Sequence, residues 1–470
     1  MKPYVWNPWR TAETLPDRTA VIADGEYYTF ADITAHADAL GRGLQAAGLA
    51  DGAVVSTDIP TGPRFFALAL AALRYGYGLF PADTSLFASG VGARLQDDMA
   101  TALHITSGDA PGGGASPCPS VTDDDLLRAA APASTVAAVA PRAGHLAFAT
   151  SGTTGEPQAV PRARPARPYR GVAVLGRYAA GASFGPHVMG NPAYHLGTLG
   201  PALYALQAGS TVVVQRSWSP AGFAELVDRH RADSAFLSLD LLVDVVESGQ
   251  APARPLRALF HGGAACPPAL KRSAIELLGP VLHEYYGTSR STVTEITADE
   301  WLRHPGSVGR PLPGIGVVIR RGGRTLGPRE PGEIWLRLRV VDRAPGQPEL
   351  LPTGDLGYLD EDGYLFVVGR ESGGQAGGAD MAYLEHQIRL LPGIADVAVT
   401  GDTVPVCYVE TLPGLPERTL RDIATAAERL GMPGPDLRPA PAGTLPRTPS
   451  GKIRRAALDA WWTTARPCPA

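Results

Sequence analysis

Cysteine is scarce in this chain. Cys118, Cys266, Cys407 and Cys468 lie far apart, and no two have the spacing of a metal-ligand pair or a redox motif. Such sparse use fits a reducing compartment. Long apolar runs are also missing: none reaches the roughly 20 residues that span a bilayer. The opening MKPYVWNPWR has no apolar signal core. Positive charge is not in excess. The formal net charge is −4, which implies no general affinity for nucleic acid. We therefore expect a cytoplasmic protein that engages neither membrane nor nucleic acid.

What is present is length and turn chemistry. A chain of 470 residues exceeds one ordinary core and implies two or three domains. The apolar fraction of 44% can fill them, and 55 glycines and 44 prolines imply much loop and turn. Helix and strand signals alternate. Thr29 with Asp32 forms a weaker version of a capping box ahead of ADITAHADALGRGLQAAGL. AVVSTDI reads as a strand, PRFFALALAALRYG as a helix, GLFPAD as a strand and turn. This alternation predicts a layered α/β architecture. LRALFHGG and VLHEYYG are strands ending in glycine, and ligands collect at such ends in open sheets.

One loop invites a chemical reading. HLAFAT predicts a strand, and SGTTGEP a tight turn. Glycines let backbone N–H groups converge, and the hydroxyls add donors, so this loop can cradle phosphate. No Gly-Lys-Ser/Thr follows, which excludes a P-loop. The glycine spacing also excludes a dinucleotide fingerprint.

Composition changes again at Arg370. DGYLFVVGR closes a strand, glycine-rich ESGGQAGGAD follows, and a small α/β unit runs on through IADVAVT, PVCYVE, ERTLRDIATAAERLG and GTLPRTPSGKIRR. The predicted boundary lies between 370 and 371, with a junction able to rotate.

Four stretches stand in order: FATSGTTGEPQAV, HEYYGTSRSTVTE, LPTGDLGYLDEDGYLFVVGR and LPRTPSGKIRRAAL. Together they resemble the adenylate-forming superfamily of acyl-CoA synthetases, peptide-synthetase adenylation domains and luciferases. LFHGGAACPPALKRSAIELLGP and EWLRHPGSVGRPLPG look most like its acyl-CoA ligase branch. The resemblance implies an α/β fold: a large N-terminal domain of layered sheets and helices, residues 1–370, and a small mobile α+β C-terminal domain, residues 371–470. It also implies ATP-dependent activation of a small carboxylic acid to an acyl-adenylate. Transfer to a phosphopantetheine thiol follows, with CoA favoured over a carrier protein. Passage to an amine, or a degenerate homologue that only binds nucleotide or acyl ligand, are the alternatives. A monomer or homodimer is expected.

The same resemblance suggests residues. Thr150, Ser151, Gly152, Thr153, Thr154 and Gly155 would contact the β- and γ-phosphates. Similar enzymes follow that loop with Pro-Lys-Gly, whereas this chain has Pro157, Gln158 and Ala159, so the cation is missing or comes from a nearby arginine. Arg162, Arg164, Arg167, Arg170 and Arg177 follow it; they read equally as a solvated loop or as a basic patch for phosphate or an acidic carrier. Asp355 in Thr353-Gly354-Asp355 would take the ribose hydroxyls, with Arg370 beside it. Tyr286, Gly287 and Thr288 would meet adenine and phosphate. Arg290 stands where the family carries a magnesium-holding glutamate. A guanidinium cannot ligate a hard metal; it would contact phosphate or mark a weakened site. The Mg2+ ligand is therefore left open. Lys452 would bridge carboxylate and α-phosphate during adenylation. His195 reads as an acyl-pocket gate or a packed core histidine. Gly262, Gly263 and Ala264 would wall the acyl pocket. Gly378 would face the pantetheine tunnel, although Ser372 replaces the usual hinge residue and the loop is about a residue short.

Overall fold

The computed structural model describes residues 8–87, 90–107, 117–130, 144–149, 157–160, 185–288, 292–337, 349–370, 378–401, 404–414, 416–447 and 453–464. By internal contacts the chain divides into two compact units. The first holds residues 1–237 and 252–259, the second residues 238–251 and 260–470. This division falls inside the stretch 1–370. A hinge at 370/371 is a separate matter from this division of contacts.

In the first unit, the Phe30–Ala46 helix starts where its cap dictates. Thr29 Oγ1 accepts the Asp32 amide, and the Asp32 carboxylate accepts the Thr29 amide, so the capping box is complete. Phe30, Ile33, Ala37, Leu40 and Leu44 form its buried stripe. The Pro63–Tyr75 helix is buried nearly all round, from Phe65 to Leu73. It and its neighbours share the core with a parallel five-stranded sheet. The sheet order is Ser120–Thr122, Thr101–Thr106, Val54–Thr57, Gly78–Pro81, His145–Leu146. A further set runs Ser234–Phe236, His187–Met189, Val212–Val214, Thr19–Ala23, all parallel, with Glu26–Thr29 added antiparallel. Its short, fully buried apolar strands are those of a sheet covered on both faces.

HLAFAT differs from expectation: it forms two strands, not one. His145–Leu146 joins the parallel sheet, and the Ala147 amide still bonds the Leu79 carbonyl at 2.8 Å. Phe148–Ala149 then leaves that edge and pairs antiparallel with Ala159–Val160.

The second unit carries an antiparallel five-stranded sheet, ordered Arg324–Thr325, Gly316–Arg321, Gly332–Arg337, Leu350–Leu359, Leu365–Arg370. Strand alternation sends Ile319, Ile334, Leu336, Leu351 and Leu365 into one apolar cluster. Leu356, Tyr358, Phe366 and Val368 enter another, with Ile296 and Trp301. Farther on, Ile394–Thr400 pairs antiparallel with Val406–Thr411, which runs parallel to Asp436–Pro441. The helices Gly378–Arg389 and Glu417–Arg429 supply Leu384, Ile388, Ile423 and Ala427 to the core of this small sheet. Burial there pushes the Cys407 thiol up to about 12, so it is an inert core residue. Among the described residues no helix is long and apolar enough to cross a membrane.

Candidate active site

The Leu350–Leu359 strand bends at Gly354, whose φ of +76° is left-handed. Thr353 on one side donates its hydroxyl to the Ile334 carbonyl at 2.9 Å and accepts the Asp355 amide at 3.0 Å. Asp355 is thereby fixed directly opposite Arg370 on the neighbouring strand. Arg370 Nε donates to Asp355 Oδ1 at 3.0 Å, and the Tyr286 hydroxyl donates to Oδ2 at 2.6 Å. The Asp355 side chain is 11% exposed and that of Arg370 69%. A carboxylate accepts about four hydrogen bonds, so two protein donors leave capacity for a ligand's hydroxyls. Burial, with the Asp355 anion beside it, pushes the Tyr286 phenol well above its usual range. Tyr286 therefore stays protonated and donates.

Tyr286 closes the Leu282–Gly287 strand, which pairs with Thr292–Thr297. Thr288 is half-buried just beyond Gly287. Arg290 lies outside the described residues. Glu295, on the paired strand, faces His283, with Oε1 3.3 Å from Nδ1.

At the end of Ala258–Gly262, a Cβ on Gly262 would lie 2.7 Å from the Tyr285 ring and 2.7 Å from its carbonyl oxygen. Gly263 has φ +83° with open space around it. The two glycines thus have different causes, close approach at 262 and backbone conformation at 263. Ala264 is half-buried next to them. Beneath this turn, Lys271 Nζ bonds Glu284 Oε2 at 2.6 Å, and Lys271 is fully buried. His261 is buried as well, and its Nε2 has no partner. Burial foremost, then the Lys271 charge, holds it neutral. Sequence reasoning missed this layer. The signal was a lysine at an apolar position of the Pro268–Leu278 helix and a glutamate in a buried strand.

In the first unit, Thr150, Ser151, Gly152, Thr153, Thr154 and Gly155 lie outside the described residues, as do Arg162 to Arg177. The base of their loop is described: Phe148 pairs with Val160 and Ala149 with Ala159, closing it as a hairpin. Arg94, from the Gly90–Asp98 helix, donates Nη2 to the Pro157 carbonyl at 2.8 Å. A surface cleft is lined by Arg94, Asp98, Pro157, Gln158 and Ala159. A guanidinium therefore stands beside Gln158, at a sequence distance that no motif reveals. His195, also in this unit, is exposed at the start of the Leu196–Gln207 helix, with its ring edge-on to Tyr194 at 4.6 Å. It is not a packed core histidine. Burial, with Asp83 alongside, pushes the Tyr194 phenol up to about 12.

Lys452 and Ser372 fall outside the described residues. The ends of the Lys452 loop are described, with Arg447 bridged antiparallel to Ile453. Gly378 is the first residue of the Gly378–Arg389 helix. Among the described residues, one group of side chains could hold a metal: His304, Asp360 and Asp362. Asp360 Oδ1 already receives the amides of Asp362 and Tyr364 in a hairpin turn, and Oδ2 faces His304 Nδ1 at 3.2 Å.

The geometry is a buried carboxylate held between a phenol and a guanidinium in a mixed α/β chain. The AMP-binding enzyme family profile matches residues 8–341, and the chain belongs to that family. Its relatives within the adenylate-forming superfamily include AMP-forming acid–thiol ligases. It is 30% identical over 308 residues to 4-coumarate–CoA ligase-like 6 of Oryza sativa subsp. japonica, covering 58% of this chain and 51% of that protein. The match thus spans about half the length of that relative. It is 26% identical to a fatty acid–[acyl-carrier-protein] ligase of Streptomyces coeruleorubidus, over 96% of this chain and 95% of the relative. The fold matches o-succinylbenzoate CoA synthetase of Bacillus subtilis in complex with its acyl-adenylate intermediate. The TM-score is 0.72 at 21% identity, over 97% of this chain and 98% of the other.

Proposed function

We propose that the chain uses ATP to activate a small carboxylic acid as an acyl-adenylate and then passes the acyl group to a phosphopantetheine thiol, CoA ahead of a carrier protein. In the first step a carboxylate oxygen bonds the α-phosphorus and pyrophosphate leaves. In the second, the thiol loses its proton, its sulfur bonds the acyl carbon, and AMP leaves. The observation that carries this reading is Asp355, held by Tyr286 and Arg370 yet still able to accept, in a chain of the AMP-binding family.

Asp355 takes the ribose hydroxyls and Arg370 stays close to the ribose or phosphate. The Tyr286 ring stacks on adenine, with Gly287 and Thr288 following the phosphates. Thr150 to Gly155 wrap the β- and γ-phosphates with neutral donors, and Arg94 supplies positive charge beside Gln158 that the loop itself lacks. Arg290 adds a phosphate contact. Lys452 stabilises the charge that builds between carboxylate and α-phosphate. His195 gates the acyl group, and Gly262, Gly263 and Ala264 wall its pocket. Gly378 faces the pantetheine tunnel, and residues 371–470 rotate about the glycine-rich junction between the two steps. Magnesium would travel with the ATP phosphates; Arg290 cannot ligate it, and no step here runs through the metal.

Exchange of labelled pyrophosphate into ATP across a panel of aryl, short, medium and amino acids tests this. One group of acids should drive exchange, and added CoA should turn it into thioester. No exchange with any acid would remove the proposal in favour of a ligand-binding homologue.

A further inference from the structure

Both ends of the loop that carries Lys452 stand on arginines paired with buried carboxylates, Arg447 partly buried and Arg455 with 51% of its side chain exposed. At one end, Arg447 Nη2 donates to Asp396 Oδ2 at 3.0 Å and to Glu410 Oε2 at 2.7 Å. Just past the other, Arg455 Nη2 donates to both oxygens of Glu385, at 2.8 and 2.7 Å, and Nη1 to the Val399 carbonyl at 2.9 Å. Arg389 joins the halves. Its Nη2 donates to Glu385 Oε1 at 2.8 Å and its Nε to Asp396 Oδ1 at 2.9 Å. Glu385, Asp396 and Glu410 are 3%, 6% and 1% exposed. Backbone amides of Val399, Val397 and Leu445 fill further acceptor sites on them. Three carboxylates thus meet three guanidiniums.

Cohesion alone does not account for this arrangement. Beside it the small sheet has an apolar core of Leu384, Ile388, Val397, Val399, Val409 and Ile423, and buried ion pairs are an inefficient source of stability. What the pairs add is direction. Arg389 divides Nε and Nη2 between Asp396 and Glu385, and Arg455 divides Nη2 and Nη1 between Glu385 and the Val399 carbonyl, so each guanidinium plane is held at two points and its angle is fixed as well as its distance. Together with the isolated Arg447–Ile453 bridge and the Arg454 amide on the Pro446 carbonyl at 2.7 Å, these contacts fix the residues that flank the loop on both sides. Lys452 is one residue from that bridge.

We propose that Glu385, Asp396 and Glu410, acting through Arg447 and Arg455, are positioning residues that preset the Lys452 loop for adenylation. This rests on the adenylation role of Lys452 proposed above. Glu385 also lies on the helix that begins at Gly378, about 10 Å along its axis at about 1.5 Å per residue. The network therefore ties that helix to Arg447 and Arg455, the described residues on either side of Lys452.

Arg455→Met, Arg455→Lys and Glu385→Gln, in the full chain, test this beside Lys452→Ala. The first readout needs no acid: hydrogen exchange of the amides at 453–457. Arg455→Met should speed it by about tenfold or more while the Val406–Thr411 strand keeps its protection. The second is pyrophosphate exchange with the acid that the screen identifies. Arg455→Met and Glu385→Gln should lower kcat by about 10- to 100-fold with KM for ATP within about twofold, the scale of a 1 Å misplacement. Arg455→Lys, which keeps charge but loses the fork, should recover part of it. A lower melting temperature with parental kcat and parental exchange at 453–457 would overturn the proposal and leave a merely stabilising network. Full exchange activity in Lys452→Ala would instead overturn the reading on which it rests. If Arg455→Met does not fold, Glu385→Gln and Arg455→Lys decide on the same readouts.

Discussion

Asp355 and Glu385 are both buried acidic residues facing arginine, yet their surroundings differ. Asp355 receives one phenol and one guanidinium nitrogen, and its arginine is largely exposed. Glu385 receives two guanidiniums and a backbone amide. The first carboxylate keeps acceptor capacity and a route to solvent. The second is saturated. A binding group must be held without being used up, whereas a framework group is strongest when every lone pair is taken. This contrast separates a site from a scaffold without reference to any motif.

Four substitutions and one condition sharpen the contrast, and the largest effect falls on the saturated side. Glu385→Ala takes one partner from the buried Arg389 guanidinium, while the half-exposed Arg455 turns to solvent, and should destabilise the fold by about 3 kcal/mol, measured by chemical denaturation. Asp355→Ala should act in the opposite manner. It should lower kcat/KM for ATP by about 100-fold through lost charge-assisted hydrogen bonds, each worth about 1.5–3 kcal/mol, with the melting temperature moving far less. A large loss of stability here with ATP kinetics unchanged would erase the distinction. Tyr286→Phe removes one donor to Asp355 and keeps the ring, so KM for ATP should rise only a few fold. Arg94→Ala, at an exposed position, should raise KM for ATP by about three- to tenfold without altering the melting temperature, since exposed charges contribute modestly.

The remaining effect concerns pH. His386 is buried against Tyr358 and Phe366, and burial, with the Arg389 charge adding to it, pushes it down to about 3 from 6.5. Above pH 6.5 neither folded nor unfolded chain protonates it, and its contribution is flat. Below that value the unfolded chain binds a proton that the folded chain refuses. Stability then falls with acidification at up to about 1.4 kcal/mol per pH unit, until the native group titrates too. Thermal melts of the parent and of His386→Gln between pH 7 and 5 should diverge as pH drops. Parallel curves would show that His386 takes no part.

Local rules were the legible ones. The Thr29–Asp32 cap and the stripe of the first long helix follow from spacing alone. Asp355, Arg370 and Tyr286 could each be singled out by motif, but their convergence needs a bulged strand register that no local pattern encodes. HLAFAT looked continuous because an apolar run does not show where its pairing partner changes. Glu385 carries no local sign of its role. Its partners come from a helix, a strand and a segment 70 residues away. Arg94 reaches Pro157 across 63 positions, and nothing in either segment announces the other.

Gly262 carries one more consequence. A Cβ there would meet the Tyr285 ring and, equally close at 2.7 Å, the Tyr285 carbonyl oxygen. Shrinking the side chain at 285 relieves the first contact and leaves the second, because a carbonyl belongs to every residue type. Position 262 is therefore closed to side chains by main chain, and a library built around this turn finds its freedom at 285 and 264 while 262 stays fixed.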